Sequence, residues 1–101
     1  MNKILTKNKE KVFKLFEENL VSNAYVFGSI VTEKFSKNSD IDFIINFNEK
    51  MDPLESGEKW WAVYYGLKQI LNRNIDIVSE KYLSNKYFIE EIEKTKVKIY
   101  G

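Results

Sequence analysis

Eight residues, Asp40-Ile41-Asp42-Phe43-Ile44-Ile45-Asn46-Phe47, form a largely alternating polar and apolar run, and a Gly28-Ser29 pair stands ten residues before it. Alternation with a period of two marks a half-buried strand. On such a strand Asp40, Asp42, Ile44 and Asn46 share one face, while Ile41, Phe43, Ile45 and Phe47 form the apolar face that seeks a core. Two residues along a strand span about 6.6 Å, and two carboxylates at that separation repel by roughly 2.5 kcal/mol at an effective dielectric near 20. Aspartate is also a poor strand former. The pair therefore destabilises its strand unless something cationic lies beside it, and a divalent cation reverses the sign of that effect.

The rest of the chain supplies partners for this strand. Thr6 or Asn8 can cap a first helix with Val12, Phe13, Phe16 and Leu20 along one stripe and Leu15 beside it. A short strand over 24–27 ends at Gly28, followed by a helical turn over 30–35 and a polar loop over 36–39. After the strand over 40–47, residues 48–53 break the pattern. Ser56 or Gly57 then opens a helix with Trp60, Val63, Tyr64, Leu67 and Leu71 at helical spacing, ending near Asn72. A third strand covers 75–79, and a last helix covers 85–94 with Phe88, Ile89 and Ile92 inward.

Asp76 sits near the start of the third strand, as Asp42 sits near the start of the second, with Ile75 and Ile77 on the opposite face. About thirty residues and one helix separate the two, which is what a parallel crossover needs. Parallel pairing puts Asp76 beside Asp40 and Asp42. Gly28-Ser29 ends its strand where Asp40 begins the next, so these meet only if those two strands run antiparallel. The expected sheet is therefore mixed, with its polar site at one end of one face. Gly28 allows close backbone approach, and the free N–H groups and hydroxyl of a turn opened by Ser29 can bind phosphate oxygens.

With 101 residues the chain is expected to form one domain, 1–101. It contains no cysteine and no histidine. That excludes thiolate and imidazole chemistry and ordinary zinc sites, leaving hard cations on oxygen ligands, Mg²⁺ or else Mn²⁺. Any general base is a carboxylate, Lys or Tyr. The net charge of +1 is far from that of a domain that grips nucleic acid by itself, so no stable nucleic-acid binding is expected. No stretch is long and apolar enough for a membrane span or a signal peptide, and the expected location is the cytoplasm. Lys3, Lys7, Lys9, Lys11 and Lys14 read as a solvated helix face, with a partner-binding patch as the alternative. On the aromatic helix Trp60, Tyr64 and Leu67 follow the core stripe. Trp61 and Tyr65 lie off it and are candidates for a partner interface or a homodimer.

At Val26-Phe27-Gly28-Ser29, Ser39-Asp40-Ile41-Asp42-Phe43-Ile44-Ile45 and Asn74-Ile75-Asp76-Ile77-Val78 the chain resembles the polymerase-β-type nucleotidyltransferases, most closely the minimal nucleotidyltransferases (MNT) of prokaryotes. The ending from Glu90 to Gly101 looks like the closing helix and tail of that group. The resemblance implies the nucleotidyltransferase fold, an α/β (α+β) arrangement of a three-stranded mixed sheet with helices packed mainly on one face. It implies Mg²⁺ held by Asp40 and Asp42, with Asp76 completing a second metal site or receiving the acceptor's proton. It implies ATP or another nucleoside triphosphate at Gly28, Ser29 and Ser39. Many relatives follow Gly-Ser with Arg or another polar residue, whereas this chain has Ile30-Val31-Thr32-Glu33-Lys34; Lys34 or Lys37 is then the source of a phosphate-contacting cation.

By the same resemblance the partner is a small helical ribonuclease of the HEPN type, and the reaction moves AMP to a tyrosine hydroxyl of that toxin. Two other readings stand beside it. One is a non-catalytic module of the same fold that neutralises a partner by occlusion, and the other is a transferase acting on a small molecule.

Overall fold

The computed structural model describes residues 3–48, 50–80 and 83–101. Glu49, inside the expected break over 48–53, lies outside them. Two helices open the chain, α1 (Lys3–Lys7) and α2 (Lys9–Glu18). Asn8 stands between them, but its side-chain amide donates to the Ile4 carbonyl at 2.8 Å and does not cap α2. Val12 and Phe16 are the buried residues of α2. Leu20 then turns the chain with a left-handed φ of 59°, which makes Leu20 a turn residue and not part of the buried stripe.

Strand β1 covers Val21–Phe27, starting earlier than the apolar run suggests because Val21 pairs with Phe47 and is buried. A 3-10 turn over Gly28–Val31 replaces the expected helical turn over 30–35. Strand β2 covers Ile41–Phe47. Helix α3, Pro53–Leu71, begins ahead of Ser56: Asp52 accepts a hydrogen bond from the Glu55 N–H at 2.9 Å, and Pro53 occupies the first turn, where its missing N–H loses nothing. It ends at Asn72, which takes the left-handed conformation (φ 51°) that stops helices. Strand β3 is Ile75–Val78. Helix α4, Lys86–Thr95, is capped by Asn85, whose side chain accepts from the Phe88 N–H at 3.1 Å.

A fourth strand, β4 (Val97–Tyr100), corrects the expectation of three. The sheet order is β3-β2-β1-β4, with β1 antiparallel to both β2 and β4 and β2 parallel to β3. Four residues containing Lys98 carry almost no strand signal by themselves; the free edge of β1 supplies the partner. Tyr100 then packs edge-on against Phe13 and Phe16, each with ring centroids 5.2 Å apart.

The two faces of the sheet are unequal. Ala24, Val26, Ile41, Phe43 and Ile45 meet Leu5, Phe16, Val63 and Leu67 on the face covered by α1, α2 and α3. Each fully buried side chain of that size contributes about 1.5–3 kcal/mol. Gly66 lets α3 approach α2, since a Cβ there would lie 2.6 Å from Leu15 Cδ1. On the other face Phe27 and Ile44 are covered by Ile92 of α4. Of the four described α-helices, three share one face, and the acidic residues of β2 and β3 lie on the other.

Candidate active site

The site is built from strand register. Phe27 is paired with Asp42 across β1 and β2, and Asp42 with Asp76 across β2 and β3. Neighbouring strands lie about 4.8 Å apart and paired residues point the same way, so Asp42 and Asp76 are side by side. The first residue after Phe27 is Gly28, at φ +76°. A Cβ at Gly28 would collide with Asp42 Oδ2 and lie 3.4 Å from Asp42 Cγ. Only glycine combines that φ with that approach. Asp40 lies just before β2, on the same side of the alternation as Asp42.

Electrostatics ties the three acids together. Burial pushes the Asp42 carboxyl above its usual range, and the charges of Asp76 and then Asp40 push it the same way. Among the described residues no ion pair reaches Asp40, Asp42 or Asp76. Nor is any group of three or more acidic side chains there arranged as a metal cage. The donor chemistry would suit a hard divalent cation: Asp42 and Asp76 side by side with Asp40 just before β2, no cationic side chain among the described residues paired to them, and repulsion at Asp42 that a cation would relieve.

The remaining expected residues divide. Ser29 lies in the 3-10 turn, and its carbonyl accepts from both the N–H (3.0 Å) and the hydroxyl (2.8 Å) of Thr32. Ile30 is buried in the main core, which explains why no polar residue follows Ser29: the turn directs that position inward. Lys34 is exposed in the following loop, where its backbone N–H donates to Thr32 Oγ1 at 3.1 Å. Ser39 is engaged away from Gly28, its Oγ accepting from the Ser36 N–H at 3.0 Å.

Arg73 was not singled out by the sequence, although it is the single arginine among 16 basic residues. Its Nη1 donates to the carbonyls of Ser36 at 2.7 Å and Ser39 at 2.9 Å, and its guanidinium lies 4.3 Å from the Phe35 ring centroid. Arg73 thus fastens the loop that leads into Asp40. Phe88, expected to point inward, meets Phe27 edge-on at 6.1 Å but remains 41% exposed, so it is only partly turned inward. Lys96 clamps the junction of α4 and β4 by pairing with Glu93 (2.9 Å) and Glu80 (3.5 Å) and lying 4.4 Å from the Tyr25 ring centroid. Burial lowers its pKa, but the Glu93 hydrogen bond and the nearby carboxylates outweigh this and leave it raised.

A recess of about 690 Å³ lies at the opposite end of β2, lined by residues that include Asn46, Asn48, Ser56, Trp60 and Glu80. Reactive groups decide the assignment, and the three carboxylates and the glycine turn lie at the other end.

Residues 10–101 match the family described as polymerase beta, nucleotidyltransferase. The chain belongs to that family. This nucleotidyltransferase is 29% identical over 94 residues to a candidate protein adenylyltransferase of Methanocaldococcus jannaschii, covering 93% of this chain and 89% of the relative. It is also similar to a solved structure described as a candidate minimal nucleotidyltransferase, at 25% identity and a TM-score of 0.70, covering 92% and 90% of the two chains. A likeness in fold alone, at 20% identity and a TM-score of 0.64, links it to a complex of the tri-AMPylated HEPN toxin of Shewanella oneidensis with its MNT antitoxin. That match covers 95% of this chain and 71% of the other. No described helix of the nucleotidyltransferase is long and apolar enough to cross a membrane.

Proposed function

We propose that this nucleotidyltransferase moves AMP from ATP to a tyrosine hydroxyl of a small helical HEPN-type partner and thereby acts as an antitoxin. The observation that carries the chemistry is the meeting of Gly28 with Asp42, and of Asp42 with Asp76, at one end of the sheet. The acceptor is argued from the relatives, an adenylyltransferase and an antitoxin whose toxin carries AMP.

In this reading Asp40, Asp42 and Asp76 would hold a divalent cation, Mg²⁺ or Mn²⁺, which when bound would supply charge neutralisation and Lewis acidity. Gly28 and Ser29 give the triphosphate a close backbone approach, and Lys34, exposed on the loop, supplies a positive charge. The acceptor oxygen bonds to the α-phosphorus as the bond to the β-phosphate bridging oxygen breaks, and pyrophosphate leaves. Asp76, on the edge strand, takes up the acceptor proton. With no nucleophilic intermediate on the protein, catalysis rests on positioning and charge stabilisation.

Incubating the protein with α-labelled ATP, Mg²⁺ and a HEPN-type protein tests the proposal. Label is expected on the partner and lost in Asp42→Asn. A partner that stays unlabelled yet is silenced overturns the transfer and supports occlusion.

A further inference from the structure

Helix α3 has a second apolar face that this chain leaves uncovered. Val63, Leu67 and Leu71 are buried in the core. On the opposite side Leu54, Trp61 and Tyr65 are 76%, 52% and 58% exposed, three of the seven large hydrophobic side chains exposed among the described residues. At about 100° per residue, Leu54, Glu58, Trp61, Tyr65 and Lys68 all fall within about 60° of Trp61 around the axis. Trp61 and Tyr65 already stack, with ring centroids 5.5 Å apart and planes 23° apart, so the two rings form one continuous aromatic surface.

The order of residues on this face identifies what covers it. Trp61 and Tyr65 lie equally far on either side of position 63, and so do Glu58 and Lys68. A second copy of α3 running antiparallel, with its two-fold axis level with position 63, sets each Trp61 against Tyr65 of the other copy. The same register sets each Glu58 against Lys68 of the other copy. A parallel copy would set Glu58 against Glu58 and Lys68 against Lys68, which is repulsive. An isologous interface needs a surface complementary to itself under a two-fold rotation, and this face has that property in both its aromatic and its charged residues. We infer that this face of α3 joins two copies of the chain in an antiparallel, two-fold dimer, with four aromatic rings at its centre and two Glu58–Lys68 pairs at its rim.

The interface is short, and the dimer is expected to have micromolar affinity. Sedimentation equilibrium on the full chain over a range of concentrations is the test, with circular dichroism showing that each variant is folded. The unaltered chain is expected to dimerise, and Trp61→Glu to weaken the dimer by about tenfold or more. Glu58→Lys alone brings two like charges together at each rim position and weakens the dimer; adding Lys68→Glu restores opposite pairs and recovers it. That rescue is specific to this register. A chain monomeric at every concentration overturns the inference, as does a dimer indifferent to Trp61→Glu or a double variant no tighter than Glu58→Lys. A monomer whose Trp61→Glu variant loses only the HEPN-type partner likewise overturns it and assigns the face to that partner.

Discussion

Gly28 and Asp42 stand so close that the volume a β-carbon would need at Gly28 is filled by the Asp42 carboxylate. The glycine turn and the central acid are thus one object, set by the pairing of Phe27 with Asp42. Gly28→Ala is expected to abolish nucleotidyl transfer by displacing that carboxylate. It should also lower stability by about 1–2 kcal/mol, because an L side chain disfavours the left-handed φ. Denaturant unfolding alongside the transfer assay checks both, and an active Ala variant would contradict the geometry.

Asp42 is held above its ordinary pKa by burial and by Asp76 and Asp40. The folded state therefore binds more protons there than the unfolded chain, and stability falls as pH rises from the ordinary carboxylate value through the raised folded value. Asp42→Asn removes this penalty, so the metal-free variant should melt higher than the unaltered protein at neutral pH, with the gap closing in acid. Added Mg²⁺ should raise the melting temperature of the unaltered protein more than that of the variant. Melting curves across pH, with and without the cation, measure both effects.

Arg73 fastens the loop that ends at Asp40. Arg73→Ala is expected to lower kcat by about ten- to a hundredfold, as small displacements of reacting groups do. The melting temperature should change little, because the guanidinium contacts an exposed loop. Unchanged kcat would assign Arg73 to the loop alone.

Lys96 ties Glu80 and Glu93 to the junction of α4 and β4. Lys96→Met should cost about 1–2 kcal/mol, less than a fully buried pair because both glutamates are partly exposed. Since the folded pKa of Lys96 is raised, its contribution is present at neutral pH and lost as pH rises through that value. The stability difference between the two proteins should therefore shrink in alkali, as measured by urea unfolding against pH.

Leu20 turns the end of α2 into β1 at φ 59°, a position where glycine is usual. Its side chain is 43% exposed, so the apolar burial it gives up offsets part of the gain. Leu20→Gly is expected to stabilise the fold by up to about 1 kcal/mol, read from the denaturation midpoint.

The site was legible where a strand's period of two governs it. Alternation put Asp40, Asp42, Ile44 and Asn46 on one face, and the crossover length put Asp76 beside Asp42, as the register bears out. The helix ends near Asn72 and Asn85 were legible because both are set locally: Asn72 takes the left-handed backbone conformation that stops a helix, and the Asn85 side chain accepts from the Phe88 N–H. The first strand and α3 both began earlier than expected, at Val21 and Pro53, since neither start depends on the apolar pattern alone.

The amino-acid order by itself determined which residues could share a face, because side-chain direction along a strand or helix is a local property of the backbone. Only the tertiary structure decided what met across that distance: β4 closing on the edge of β1, Ile30 turning into the core, and Arg73 reaching Ser36 and Ser39. Such contacts join segments far apart in the chain, and their energies exist only once the sheet has brought those segments together.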